Sequence, residues 1–156
     1  MKKDWKGCPP KFRNLAIVDD DPEARRQFVE LIQGEYPKME VRDYESIFEC
    51  FQGWQRFDFV VVDVSSVAPL MAGDVAHAYA PIAKFLENYP TTQIIIHSAM
   101  SRSGTHEVID EVKRVCPEST VHYGGIGMWE PLKKLLNELI KPEDLEWSKV
   151  KSKLKP

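Results

Sequence analysis

Short apolar runs alternate with longer stretches in which apolar residues recur every three or four positions, from about residue 14 to residue 140. This switching between strand-like and helical periods predicts repeated βα units. The first strand is Asn14-Leu15-Ala16-Ile17-Val18, and Asp19, Asp20 and Asp21 follow it. Asp21 before Pro22 is an N-cap and N1 pair, because the carboxylate accepts an orphan amide and proline has none to lose. The helix it opens carries Ala24, Phe28, Leu31 and Ile32 on one face, with Gly34 and Pro37 as its stop signals. A second strand over 39–44 alternates apolar and polar residues, as an edge strand covered on one face does, and a short helix with Ile47, Phe51 and Trp54 on one side comes next. The third strand, Phe57-Asp58-Phe59-Val60-Val61-Val62, ends at Asp63 and is almost continuously apolar, the pattern of a central strand buried on both faces. Beyond Pro69 and Gly73, Val75, Tyr79, Ile82 and Leu86 mark a helix, and Gln93-Ile94-Ile95-Ile96-His97 a fourth strand ending at Ser98. Val108, Val112 and Val115 mark another helix, which Pro117 stops. The fifth strand, 119–123, runs into Gly124, Gly125 and Gly127, and Leu132, Leu135, Leu136 and Leu139 form the stripe of a last helix.

Five such units joined by right-handed crossovers predict an α/β, doubly wound, five-stranded parallel sheet of order 2-1-3-4-5. Ligands of open parallel sheets bind at the carboxyl ends of the strands. Here strand one ends in Asp19 and Asp20, strand three in Asp63, and strand four in Ser98 followed by Ala99. Gathered carboxylates repel, so such a cluster takes up protons or holds a cation. A hard divalent ion, Mg2+ or Mn2+, is the natural occupant, since it accepts oxygen ligands and keeps several waters. A carboxylate beside that ion is also a competent nucleophile toward phosphorus, with Ser98 placed to hydrogen-bond a phosphoryl oxygen.

Composition narrows the classes. At 156 residues, with 43% hydrophobic and 29% charged residues, the chain suits one ordinary globular domain. The net charge of −3 hides an asymmetry: residues 1–14 carry +4, residues 141–156 carry +2, and residues 15–140 carry −9. We therefore divide the chain into a basic N-terminal extension (1–13), a globular domain (14–140) and a basic C-terminal tail (141–156). An acidic body repels nucleic acid, which is not expected as a partner. No apolar run is long enough to cross a bilayer, and the lysine-rich start lacks the apolar region of a signal peptide, so no membrane role and a cytoplasmic location are expected. Cys8, Cys50 and Cys116 are odd in number and widely spaced, which suggests reduced thiols rather than a disulfide framework or a zinc site. His77, His106 and His122 show no ligand spacing, and simple alternation turns His97 away from the residues gathered around Ser98, as a buried or interface histidine rather than a ligand.

The motifs LAIVDDDPEAR, FDFVVVD and IIIHSA, in that order, resemble those of the receiver domain of bacterial response regulators, the phosphoacceptor half of two-component signalling. The resemblance spans about residues 14–140. It implies a flavodoxin-like fold in which Asp63 accepts a phosphoryl group from a histidine kinase or phosphotransfer protein. It further implies that Mg2+ is held by Asp19, Asp20, Asp63 and the backbone carbonyl of Ser65, and that Ser98 and Ala99 read the phosphoryl group. Such a phosphoprotein is a signalling module of a phosphorelay, not an enzyme, and its output passes through a downstream protein or through a homodimer on the face of the fourth helix, fifth strand and fifth helix. Two departures stand out. Receivers carry a lysine at the end of strand five, where this chain has Tyr123 or Gly124. Pro69 and Gly73 lie six and ten residues beyond Asp63 rather than four and eight.

The missing cation motivates an alternative, a degenerate receiver acting as an adaptor independent of phosphorylation. A more distant reading is a phosphatase resembling haloacid-dehalogenase-like hydrolases, with Asp19 and Asp21 as its Asp-x-Asp pair. No later acidic metal-binding pair or approaching lysine supports it. Neither GxGxxG nor GxxxxGK[ST] follows the first strand, which argues against a nucleotide-binding module.

Overall fold

The computed structural model describes residues 7–8, 12–52, 56–63, 75–97, 102–117, 120–125, 128–141 and 148–149. Among the described residues, seven strands and five helices follow one another in the order β1 (Gly7–Cys8), β2 (Asn14–Val18), α1 (Pro22–Glu35), β3 (Glu40–Tyr44), α2 (Ile47–Gln52), β4 (Phe59–Asp63), α3 (Val75–Asn88), β5 (Gln93–His97), α4 (Arg102–Val115), β6 (Thr120–Tyr123), α5 (Trp129–Leu139) and β7 (Ser148–Lys149). The main sheet is parallel throughout, in the order β3-β2-β4-β5-β6. Counting its strands along the chain, this is the expected order 2-1-3-4-5.

The three central strands are buried on both faces, which is why their sequences are nearly continuous apolar runs. Alternate residues divide between two cores. Ala16, Val18, Val60, Val62, Ile94 and Ile96 pack with Ile47 of α2, with Ile82, Phe85 and Leu86 of α3, and with Val108 and Val112 of α4. Leu15, Ile17, Phe59, Val61 and Ile95 face the other way, onto Phe28 and Ile32 of α1 and Leu132 and Leu136 of α5. The edge strand β3 is mostly exposed.

Hydrogen bonds at the amino ends of the strands lock their register. The Asp58 carboxylate accepts from the backbone amides of Arg13 (2.7 Å) and Asn14 (3.2 Å), while the Asn14 side chain accepts from the Asp58 amide at 2.9 Å and donates to the Arg56 carbonyl at 3.0 Å. On the next strand, the Gln93 amide donates to the Asp58 carbonyl, and the buried Thr92 hydroxyl donates to the Phe57 carbonyl at 2.6 Å. Side chains that satisfy the end groups of neighbouring strands make a one-residue slip costly, and such a slip would also turn every core residue outward.

α1 closes between its two stop signals: it ends at Glu35 and is capped at Tyr36, whose amide donates to Ile32. One local expectation is corrected. Leu31, assigned to the apolar face, is 41% exposed, because only Phe28 and Ile32 point squarely at the sheet. Trp54 lies outside the described residues. A second, two-stranded antiparallel sheet joins β1 to β7, with Gly7 opposite Lys149 and Cys8 opposite Ser148. Residues of the basic N-terminal extension and the basic tail are thereby paired.

Candidate functional site

The Asp19-Asp20-Asp21 run is held by its neighbours in both directions. Asp21 caps α1, its carboxylate accepting from the amides of Glu23 (3.0 Å) and Ala24 (3.5 Å), with Pro22 at the first helical position. Asp19 is 2% exposed; its carboxylate accepts from the Asp21 amide at 2.9 Å, and its own amide donates to the Tyr44 carbonyl of the edge strand. Arg25, one turn into α1, donates through Nη1 to the Asp19 carbonyl and through Nε to the Asp43 carboxylate, both at 2.8 Å. The acidic turn is thus tied to β3 through a helix side chain.

Register decides what stands beside it. Val18 pairs with Val62, so the next step of the ladder puts Asp19 beside Asp63, and Asp63 itself pairs with His97. Ile96 pairs with Tyr123, so Gly124 follows beside His97, its amide donating to the Ile96 carbonyl at 2.7 Å. Residues in register on a parallel sheet carry their side chains on the same face. Asp19, Asp63, His97 and Gly124 therefore form one row at the carboxyl edge, on the face covered by α1 and α5. The electrostatics agree. The Asp19 carboxyl is pushed up to about 6, chiefly by burial, which outweighs the Asp21 amide; Asp63, Asp20 and Asp21 push in the same direction as burial.

His97 was not expected in this row. Alternation from Ser98 turned it away from the site, whereas its pairing with Asp63 puts it next to the acceptor candidate. It is 2% exposed, its ring lies edge-on to Phe28 with centroids 5.3 Å apart, and among the described residues neither ring nitrogen has a hydrogen-bond partner. Burial lowers its pKa despite the opposing influence of Asp63, which favours the neutral imidazole. A sequence signal did exist: β4 and β5 are equal runs, FVVVD and QIIIH, each closed by a single polar residue.

The two positions offered for the missing lysine separate. Tyr123 packs on the opposite core, its ring 4.7 Å from that of His106. Gly124 is in the row, and a Cβ built there would come within 2.6 Å of Ile95 Cγ2 and 3.4 Å of the His97 Cβ. Gly125 has φ +99°, and a Cβ there would come within 2.7 Å of the Pro131 ring. The end of β6 is built for glycine, and a side chain at either position requires its neighbours to shift. Ser65, Ser98 and Ala99 lie outside the described residues.

Among the described residues, no three of His, Cys, Asp and Glu form a metal-holding group. The donor set nevertheless fits Mg2+, which needs as few as one or two carboxylates and otherwise keeps water. Asp19 is the observation that favours it, because a buried carboxyl crowded by like charges is relieved by a cation. Cys50 is a buried thiol, pushed up to about 12 by that burial, and the Cys116 thiol donates to the Ala83 carbonyl at 3.7 Å. No described helix is long and apolar enough to cross a membrane.

No family model and no curated protein matches the chain in sequence. Solved structures do match it in shape. Response regulator TrrA from Thermotoga maritima, in complex with Mg2+ and BeF, is 20% identical, with a TM-score of 0.59 over 83% of this chain and all of its own. Chemotaxis response regulator CheY4 of Vibrio cholerae is 20% identical, with a TM-score of 0.58 over 83% of this chain and 99% of its own. An adenylate cyclase from Rhodopirellula baltica is 19% identical, with a TM-score of 0.55 over 92% and 95%. The chain has the flavodoxin-like fold of response-regulator receiver domains, with the strand order that the resemblance implied.

Proposed function

We propose that the chain is a signalling receiver that accepts a phosphoryl group on Asp63. The observation that carries this reading is the row itself: in a sheet of receiver order, Asp63 closes a buried central strand beside Asp19, whose carboxyl is held near 6 by burial and by that same Asp63. A carboxylate so placed attacks phosphorus. An Asp63 oxygen forms the new P–O bond, the bond from phosphorus to the donor's nitrogen or acyl oxygen breaks, and the leaving group departs with that electron pair. Asp19, Asp20, Asp63 and the Ser65 carbonyl would hold Mg2+, which when bound supplies charge to offset the phosphoryl oxygens. Ser98 and Ala99 would contact those oxygens. The donor is a histidine kinase or phosphotransfer protein, and the output runs through a protein partner or a homodimer on the face of α4, β6 and α5.

Intact mass measurement with acetyl phosphate and Mg2+ tests the reading. The expected outcome is a gain of one phosphoryl group that is absent from Asp63→Asn. A second reading, an adaptor that works without phosphorylation, is favoured by the tight glycines at 124 and 125, where any side chain requires its neighbours to shift. No phosphoryl gain in the unaltered protein, with full retention of the fold, would select it.

A further inference from the structure

A buried imidazole is an odd residue to close an apolar strand. Its neutral form carries one N–H and one acceptor nitrogen, and both are shielded from water here with no described partner. Folded proteins rarely leave such groups unpaired, and an apolar side chain of similar size would pack in the same place without that penalty. Its described apolar surroundings give no structural reason for a polar residue: Phe28 lies edge-on from α1, Ile95 precedes His97 by two on the same face, and Gly124 closes in just beyond β6. The polar group beside it in register is Asp63, on the strand next to its own, where spacing between strands is about 5 Å. A phosphoryl group on Asp63 would bring three acceptor oxygens to that row.

We infer that His97 is a phosphoryl-binding residue, donating an imidazole N–H to an oxygen of the group carried by Asp63, in the row position between the acceptor and Gly124. The donor comes from the fourth strand of the sheet, whereas the resemblance puts a lysine on the fifth. The close approach of Gly124 to Ile95 and to the His97 Cβ suits this arrangement, since a larger residue at 124 would press on the Ile95 side chain that packs beside the imidazole. The inference rests on Asp63 being the acceptor.

The test uses beryllofluoride with Mg2+ as the probe, on the full chain and on two variants, His97→Leu and His97→Gln. Leucine keeps the bulk and removes the donor; glutamine restores a donor. Binding by His97→Leu is expected to weaken about 10- to 100-fold, the size of losing one hydrogen bond to a charged group, while its melting temperature without the probe equals or exceeds that of the unaltered protein. His97→Gln is expected to return to within about threefold, the usual spread for a replaced hydrogen bond. In 1H–15N spectra the His97 N–H signal should appear or shift on loading and be absent from both variants. Equal affinity in His97→Leu, or a loss of affinity matched by a loss of melting temperature and not restored by glutamine, overturns the inference while Asp63 keeps its phosphoryl group. If the unaltered protein takes neither beryllofluoride nor a phosphoryl group from acetyl phosphate, the acceptor reading fails and this inference fails with it.

Discussion

Asp19 carries the charge balance of the site. Its carboxyl is raised from an ordinary 3.8 to about 6, so between about pH 4 and pH 6 the folded chain binds more protons at this position than the unfolded chain does. Stability from this group therefore falls as pH rises through that window, and the full cost is present at pH 7. Asp19→Asn should be more stable than the unaltered protein at pH 7.5 without Mg2+ by about 1–3 kcal/mol, and the gap should close near pH 4. Urea melts of both proteins at several pH values check this, and Mg2+ should narrow the gap at pH 7.5. His97, whose pKa burial lowers, contributes with the opposite sign, and comparing the two proteins removes most of its contribution. At this scale the acids and their order were legible, because apolar runs closed by aspartates are explicit in the chain. The placement of His97 was not, because alternation along one strand says nothing about which residue of the next strand stands beside it.

At the scale of elements, α1 connects the acidic turn to the body. Asp21 starts it by accepting two amides, and Arg25 anchors it to the Asp19 carbonyl and to the edge strand. Removing the cap should cost about 1 kcal/mol. Asp21 also repels Asp19, so the fair comparison is Asp21→Ala against Asp21→Asn, which keeps the acceptor and drops the charge. The alanine variant should melt lower than the asparagine variant by that amount, with the loss of protection in hydrogen exchange concentrated in the first turn of α1. The N-terminus of α1 was readable from Asp21-Pro22 because capping is a local interaction of adjacent residues. Its end was bracketed by Gly34 and Pro37, and packing of Phe28 and Ile32 on the sheet carries the helix one residue past the glycine.

For the whole molecule, the amino edge of the sheet sets the geometry of the carboxyl edge. Asp58 and Asn14 hold β2 and β4 in register at one end, and the same register brings Asp19 beside Asp63 at the other. Asp58→Ala leaves the Arg13 and Asn14 amides without that acceptor and should lower stability by about 1–3 kcal/mol, measured by urea denaturation, with increased amide exchange at 13 and 14. The β1–β7 pairing brings residues of the two basic ends together, which composition alone left as separate segments. By itself the sequence determined the βα alternation, the buried central strands and the acids that close them, since period and burial are properties of contiguous residues. The place of His97 and Gly124 in the row with Asp19 and Asp63 was decided only by tertiary structure, because register between strands far apart in the chain is set by packing and by end-group hydrogen bonds that no local pattern encodes.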